Sequence, residues 1–361
     1  MNTGTVLSIE GESFLINGQP TYAGKSFRGH SIEGLLFNSR MIQAIFDDEN
    51  PDTAQHWAYP DTGVWDAARN TSEFCAMLPI YKQHGLLGVT VGLQGGGSNY
   101  APDFYHHYHT SAFAPDGSLK QPYLDRLAQV LQTADDCGMV VIVSYTYAMH
   151  RNVFANQQAV DRGIRNATEW LLQSGYRNII VEIMNEARDD LTPYFSIDQI
   201  PRYLDMVRQT TLDGRRLLVG NSAFPDHVIP SDEWLAAEDV TMPHGNNHTP
   251  DELRQKLREW RNLAPIKQRP RPILINEDST LIENMDVAIE EEVSWGFYHQ
   301  GYGSMYQHDR FINWHHHPRE TDYAKLSGFQ TLPINWSIND PWKRAFFEHL
   351  KAVTGGFPLQ S

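Results

Sequence analysis

Cysteine is almost missing from this chain of 361 residues: there are two, Cys75 and Cys137. A disulfide framework or a thiolate metal site needs more than that, so both read as reduced, buried small residues in helices. No apolar run approaches the roughly 18 residues that cross a bilayer. The opening stretch MNTGTVLSIEGESFLING has no basic segment followed by an apolar one, so the chain as given reads as cytoplasmic, or as a secreted protein whose signal has been removed. Positive charge is scarce as well, with 29 Lys+Arg against 44 Asp+Glu and a net charge of −15. Such a surface repels phosphate backbones and anionic lipid, so neither nucleic acid nor a membrane is expected as a partner. Linkers, low-complexity tracts and repeats of 20–50 residues are also missing, which argues for one domain over 1–361. Nothing in the composition speaks to oligomeric state.

Apolar residues make up 41 % of the chain and aromatics 11 %, enough to fill a large core. Short apolar, β-branched runs recur at Tyr22–Phe27, Leu87–Leu93, Met139–Tyr147 and Asn178–Met184, then at Leu217–Asn221, Val240–Pro243, Pro272–Asn276 and Gly303–Gln307. Runs such as LLGVTVGL and VVIVSY are apolar throughout, as strands covered on both faces by helices must be. Helical spacing fills most of the gaps. In Tyr123–Gly138, Leu124, Leu127, Leu131 and Ala134 fall on one face and Gly138 stops the helix. Eight strand–helix units define a (β/α)8 TIM barrel, whereas a doubly wound sheet wants fewer units and a glycine fingerprint after its first strand. Two segments fall outside the repeat. Residues 1–20 hold a short hairpin, Ser8–Pro20 with INGQP as its turn, expected at the bottom of the barrel. Residues 28–65 form a long aromatic-rich insertion after the first strand, expected to roof the active-site face.

Active sites of such barrels lie at the C-terminal ends of the strands. The fourth run ends Asn185-Glu186 and the seventh ends Asn276-Glu277, each after a buried apolar stretch. A carboxylate there must be paired, hydrogen-bonded or shifted in pKa. The plain structural alternative is an ion pair capping each strand end, but two matching Asn-Glu ends on nearly opposite strands point into one pocket. Facing carboxyl groups are what glycoside hydrolysis uses: one donates a proton to the leaving oxygen and the other attacks or activates water.

With these residues the chain resembles the clan A glycoside hydrolases, most nearly the family 5 (cellulase-type) glycosidases. IIVEIMNEA (179–187) is similar to their fourth-strand signature, PILINEDS (272–279) to their nucleophile segment, and FLINGQPTYAGKSF to their common opening. The resemblance implies Glu186 as general acid/base, Glu277 as nucleophile, Asn185 as partner of the substrate 2-hydroxyl, retention of anomeric configuration and no cofactor. It implies a carbohydrate partner, an oligosaccharide or glycoside with β-linkages. The surrounding shell departs from the family pattern. Gly92 stands where an Arg is usual, Thr146 where a His is usual, and Ala187 replaces the proline after the acid/base. His244-Gly245-Asn246 replaces His-x-Tyr, and Met305-Tyr306-Gln307 replaces the eighth-strand Trp.

Other candidates for substrate contact are Arg28 and His30, which follow the expected first strand and could replace the missing Arg, and His150 beyond the third. His244 and Tyr306, at the sixth and eighth strand ends, could hold the nucleophile by hydrogen bonds. Trp57 and Trp314, with Trp65, offer faces on which sugar rings stack, although core packing is the ordinary role of any one tryptophan. No metal is expected. In His106-His107-Tyr108-His109 and His315-His316-His317 adjacent residues cannot all converge on one ion. Gly24-Lys25-Ser26 and Gly95-Gly96-Gly97 lack the spacing of phosphate or dinucleotide cradles. Two other readings stand beside the glycosidase: a catalytically silent barrel that binds carbohydrate, and a metal-dependent barrel hydrolase using the many histidines.

Overall fold

The central sheet starts where a short apolar run turns polar without leaving the interior. Leu35, Leu36 and Phe37 are buried and lead into the strand Asn38–Arg40, whose three side chains are buried too. The computed structural model describes residues 4–96, 108–147, 150, 153–187, 196–223, 230–301, 306–307 (backbone), 310–311 (backbone) and 320–358. From Asn38–Arg40 the parallel sheet continues through Gly88–Gly92, Val140–Tyr147, Ile179–Asn185 and Leu218–Gly220. On the other side of Asn38–Arg40 lies Gly296–Phe297, also parallel, which completes a six-stranded sheet.

The gap between the two ends of this sheet is filled by the sixth and seventh apolar runs. Parallel bridges join Ser222 to Met242, Thr241 to Ile273 and Leu274 to Ser294. Thr241 N–H donates to Pro272 O at 3.0 Å, and Ile275 N–H to Ser294 O at 2.9 Å. The strand segments thus follow one another round a ring, which is the (β/α)8 arrangement. Helices alternate with them. Ala67–Gln83 is capped by Asp66, Gln157–Gln173 by Asn156, and Pro250–Arg261 by a reciprocal Thr249/Glu252 box. Gln121–Cys137 buries Leu124, Leu127, Leu131 and Ala134 and ends at Gly138 with φ 67°, as its spacing predicts. Both cysteines are free thiols. Among the described residues no helix is long and apolar enough to cross a membrane.

Two expected strands are displaced. Tyr22–Phe27 is not in the barrel. Tyr22 has φ 49° and Gly24 φ 69°, so the chain turns there, and Ser26–Phe27 pairs antiparallel with His30–Ser31 in a surface hairpin. Tyr22 instead packs on Phe37 and donates its hydroxyl to Gly85 O. The first barrel strand therefore lies inside the stretch 28–65 that reads as one loop. Of the expected eighth strand Gly303–Gln307, residues 303–305 lie outside the described residues, and Tyr306–Gln307 pairs antiparallel with Arg310–Phe311. Its place is taken by Gly296–Phe297. A Cβ on Gly296 would stand 2.6 Å from both Ile275 O and Asn38 Oδ1, so glycine is what lets the ring close there.

At the other end of the barrel, Leu7–Glu10, Ser13–Ile16 and Gln19–Pro20 make a small antiparallel sheet. Leu7 N–H donates to Arg177 O just ahead of the fourth strand, which sets this sheet at the N-terminal ends of the strands. That end stays clear of the chemistry.

Candidate active site

Every residue of Ile179–Asn185 is buried, and the strand delivers Asn185 and then Glu186 to the open end. Glu186 has φ 49°, a left-handed backbone that β-carbon residues adopt rarely and mostly where surrounding structure enforces it. Here the fifth strand enforces it. Glu186 N–H donates to Ser222 Oγ at 2.9 Å and Ala187 N–H to Ser222 O at 3.0 Å. The Glu186 side chain keeps 21 % exposure, while that of Glu277 keeps 6 %.

Glu277, at the end of the seventh run, accepts at both oxygens. Arg40 Nε lies 2.6 Å from Oε2, and Asn246 Nδ2 donates to Oε1 at 2.7 Å. Arg40 also donates from Nη2 to Asn185 Oδ1 at 2.7 Å, so one guanidinium ties the nucleophile candidate to the neighbour of the acid/base candidate. His244 sits between the two glutamates. Its Nδ1 is 3.1 Å from Glu186 Oε1 and 3.8 Å from Glu277 Oε2, and its Nε2 faces Asn276 Oδ1 at 3.1 Å. One ligating atom from each of Glu186, His244 and Glu277 lies within 4.8 Å of the other two.

Burial pushes the Glu277 carboxyl up, and the like charge of Glu186 adds to this, while Arg40 and His244 pull it down. The geometry decides the form: two donors, one at each oxygen, fit a carboxylate. Burial works against charge on Arg40, but Glu277 and Glu182 outweigh it and raise its pKa further. His244 follows the same logic. Burial favours the neutral ring, yet Glu277 and Glu186 prevail and raise it. Both its nitrogens face oxygen atoms, Glu186 Oε1 and Asn276 Oδ1.

Arg40, Asn185, Glu186, Asn246, Glu277 and Tyr298 stand in the wall of a cleft of about 170 Å³. Glu186, His244 and Glu277 are the one histidine–carboxylate group among the described residues with the spacing of a metal site. They fit a cation poorly. Arg40 already fills the cationic position at Glu277, and both nitrogens of His244 are already taken up by oxygen partners.

The candidates read from sequence separate clearly. Glu186, Glu277, Asn185 and His244 are brought together at one end of the barrel. Arg28 is exposed and paired with Asp286 at 2.7 Å, and His30 lies exposed in the surface hairpin, so neither reaches the cleft. They would reach it only if Tyr22–Phe27 were the first barrel strand, and the chain turns away from the barrel at Tyr22 and Gly24. Trp57 is buried, donates Nε1–H to Asp48 Oδ2 at 2.7 Å and packs on Phe46, a core role rather than a sugar platform. Trp65 packs flat on Tyr59. His150 is buried with Nε2 2.7 Å from Gly95 O and lines a neighbouring groove instead of the cleft. Trp314 and the side chain of Tyr306 lie outside the described residues. The sequence reading missed Arg40 and Glu182. Arg40 follows only three apolar residues, too short a run to mark a strand. Glu182 was visible as a charge inside the apolar run IIVEIMN, a signal that the interior there is polar.

No protein-family model and no curated protein sequence matches the chain. Solved structures do. A broad-specificity endoglucanase of glycoside hydrolase family 5, subfamily 4, from Clostridium longisporum is 13 % identical with a TM-score of 0.53, over 88 % of this chain and 97 % of that one. A glycoside hydrolase family 5 mannosidase from Rhizomucor miehei is 13 % identical with a TM-score of 0.51, over 97 % of both chains. An endo-β-1,4-mannanase from Thermotoga petrophila is 13 % identical with a TM-score of 0.50, over 94 % of this chain and 80 % of that one. At this identity the likeness establishes the fold, the (β/α)8 barrel of the family 5 enzymes.

Proposed function

We propose that the protein is a retaining glycoside hydrolase acting on β-glycosidic bonds of an oligosaccharide or small glycoside. The observation that carries this reading is the opposition of Glu186 and Glu277, with an oxygen of one within 4.8 Å of an oxygen of the other. Retaining enzymes hold their carboxyl groups about 5–5.5 Å apart, and inverting ones leave about 6.5–9.5 Å for a water. Glu277, held as a carboxylate by Arg40 and Asn246, attacks the anomeric carbon. Glu186, the more exposed of the pair, donates its proton to the departing oxygen. Two cations, Arg40 and the His244 imidazolium, face three carboxyl groups, Glu182, Glu186 and Glu277. The cluster is therefore neutral when one carboxyl carries a proton. In the second step Glu186 takes a proton from water, which releases the sugar from Glu277. No cofactor enters either step.

The fold relatives named as endoglucanases, mannanases and a mannosidase make β-glucosides and β-mannosides the first substrates to try. A panel of aryl β-glycosides, with Glu186→Gln and Glu277→Gln beside the native chain, tests the reading. One or more sugars should be released, and each variant should lose about a thousandfold or more of kcat. Activity surviving in both variants contradicts the assignment. A native chain that binds sugars without cleaving any supports the silent barrel instead.

A further inference from the structure

Beneath the catalytic pair lies a third carboxyl group that substrate does not reach. Glu182 stands four residues before Glu186, inside the strand Ile179–Asn185, and is fully buried. Its Oε1 accepts from Asn276 Nδ2 at 3.0 Å and lies 3.9 Å from His244 Nε2, and its Oε2 lies 3.6 Å from Arg40 Nη1. Ser144, on the neighbouring third strand, is a further hydrogen-bond donor to it. A carboxyl group so enclosed keeps its charge only where cations answer it. The two that do so here are the same two that touch the reacting carboxyls.

We infer that Glu182 is a positioning residue, whose negative charge holds Arg40 and His244 as cations directed at Glu277 and Glu186. For its effect on rate this rests on the glycosidase reading; the charge relation does not. The charged groups facing His244 are Arg40 from the first strand, Glu182 and Glu186 from the fourth, and Glu277 from the seventh. Tyr298 of the eighth faces Arg40. Arg40 repels a proton on His244, so the anions must outnumber it. Once Glu186 is the protonated acid, Glu277 alone answers two cations from above, and Glu182 supplies the missing charge from below. Its own state agrees: burial would raise the Glu182 carboxyl, yet Arg40 and His244 hold it below the usual range. The bland alternative is a polar plug whose hydrogen bonds to Ser144 and Asn276 merely join strands. Glutamine has the same shape and could fill that role, but it carries no charge.

Glu182→Gln therefore separates the two. The imidazole of His244 is titrated by NMR in the native protein and the variant, and kcat is followed against pH on whichever aryl glycoside the native protein cleaves. The His244 pKa should fall by about one unit or more, and the alkaline limb of kcat should move to lower pH with it. An unchanged titration overturns the inference, whatever happens to the rate. If the native protein cleaves no glycoside, the titration still decides on Glu182, and only the glycosidase reading falls. Should Glu182→Gln fail to fold, Glu182→Asp decides. It keeps the charge, so His244 should still titrate above its ordinary value, close to the native protein. A His244 pKa that falls to the ordinary value although the carboxylate is still there overturns the inference.

Discussion

Arg40 is the residue on which the site turns. It meets Glu277, Glu182 and Asn185 with three different nitrogens and is 2 % exposed. Methionine in its place keeps the stem and removes the charge, leaving buried carboxylates without their partner. Breaking a buried pair in this way costs about 3–5 kcal/mol. Arg40→Met is expected to unfold at markedly lower urea concentration and to lose about a hundredfold or more of kcat; native stability would show that the pairs are not formed. Asn246 is the milder case. Its Nδ2 is one of two donors to Glu277, so Asn246→Ala should lower kcat about tenfold, the worth of one hydrogen bond to a charged group, with KM little changed. Rates on the responsive glycoside would check both values. An Asn246→Ala variant with native kcat would remove that donor from the mechanism.

At the scale of elements, legibility followed periodicity. Strands two to seven were readable because LLGVTVGL, VVIVSY and their like are apolar on both faces, and Gly138 marked a helix end where the structure has one. The first strand was not readable, since Asn38, Ser39 and Arg40 are buried by polar partners rather than by apolar packing. Asn38 spends its amide on Ile275 O and Trp295 O, and Ser39 its hydroxyl on Phe297 O. That misplacement carried Arg28 and His30 into the expected site and left Arg40 out. The eighth strand hid behind Gly296, which reads as a strand breaker and is instead the point of closest approach. Gly296→Ala tests this directly: its Cβ would stand 2.6 Å from backbone Ile275 O, next to the strand end that carries Glu277. A destabilisation of about 1–3 kcal/mol is expected in urea titration. An unchanged midpoint would mean that the eighth strand does not close on the seventh as described.

Across the whole molecule, buried carboxyl groups lie at both ends of the barrel strands. The open end holds the candidate active-site cluster, where the Asn-Glu strand ends were legible in the sequence because buried acids are rare. Ahead of the sixth strand, another buried carboxyl makes stability depend on pH. Glu238 is 1 % exposed, accepts from Thr241 Oγ1 at 2.5 Å and Trp234 Nε1 at 3.2 Å, and stands 3.6 Å from Arg271. Burial raises it to about 8, more than Arg271 can offset. The native state then binds a proton that the unfolded chain has released, so this contribution is complete below the unfolded value near 4.5 and is lost as pH rises through about 8. Glu238→Gln should gain stability relative to the native protein as pH goes from 5 to 8, measured as the difference in urea midpoints; a difference that stays flat would place a charged Glu238 beside Arg271.

The central claim is that two opposed carboxyl groups act by double displacement, and the stereochemistry of the first product tests it most directly. Proton NMR during hydrolysis of an aryl β-glycoside should show the β-anomer of the free sugar first, with the α-anomer appearing only by mutarotation. The α-anomer as first product would mean inversion, and would contradict the direct attack of Glu277 that the spacing of the pair supports.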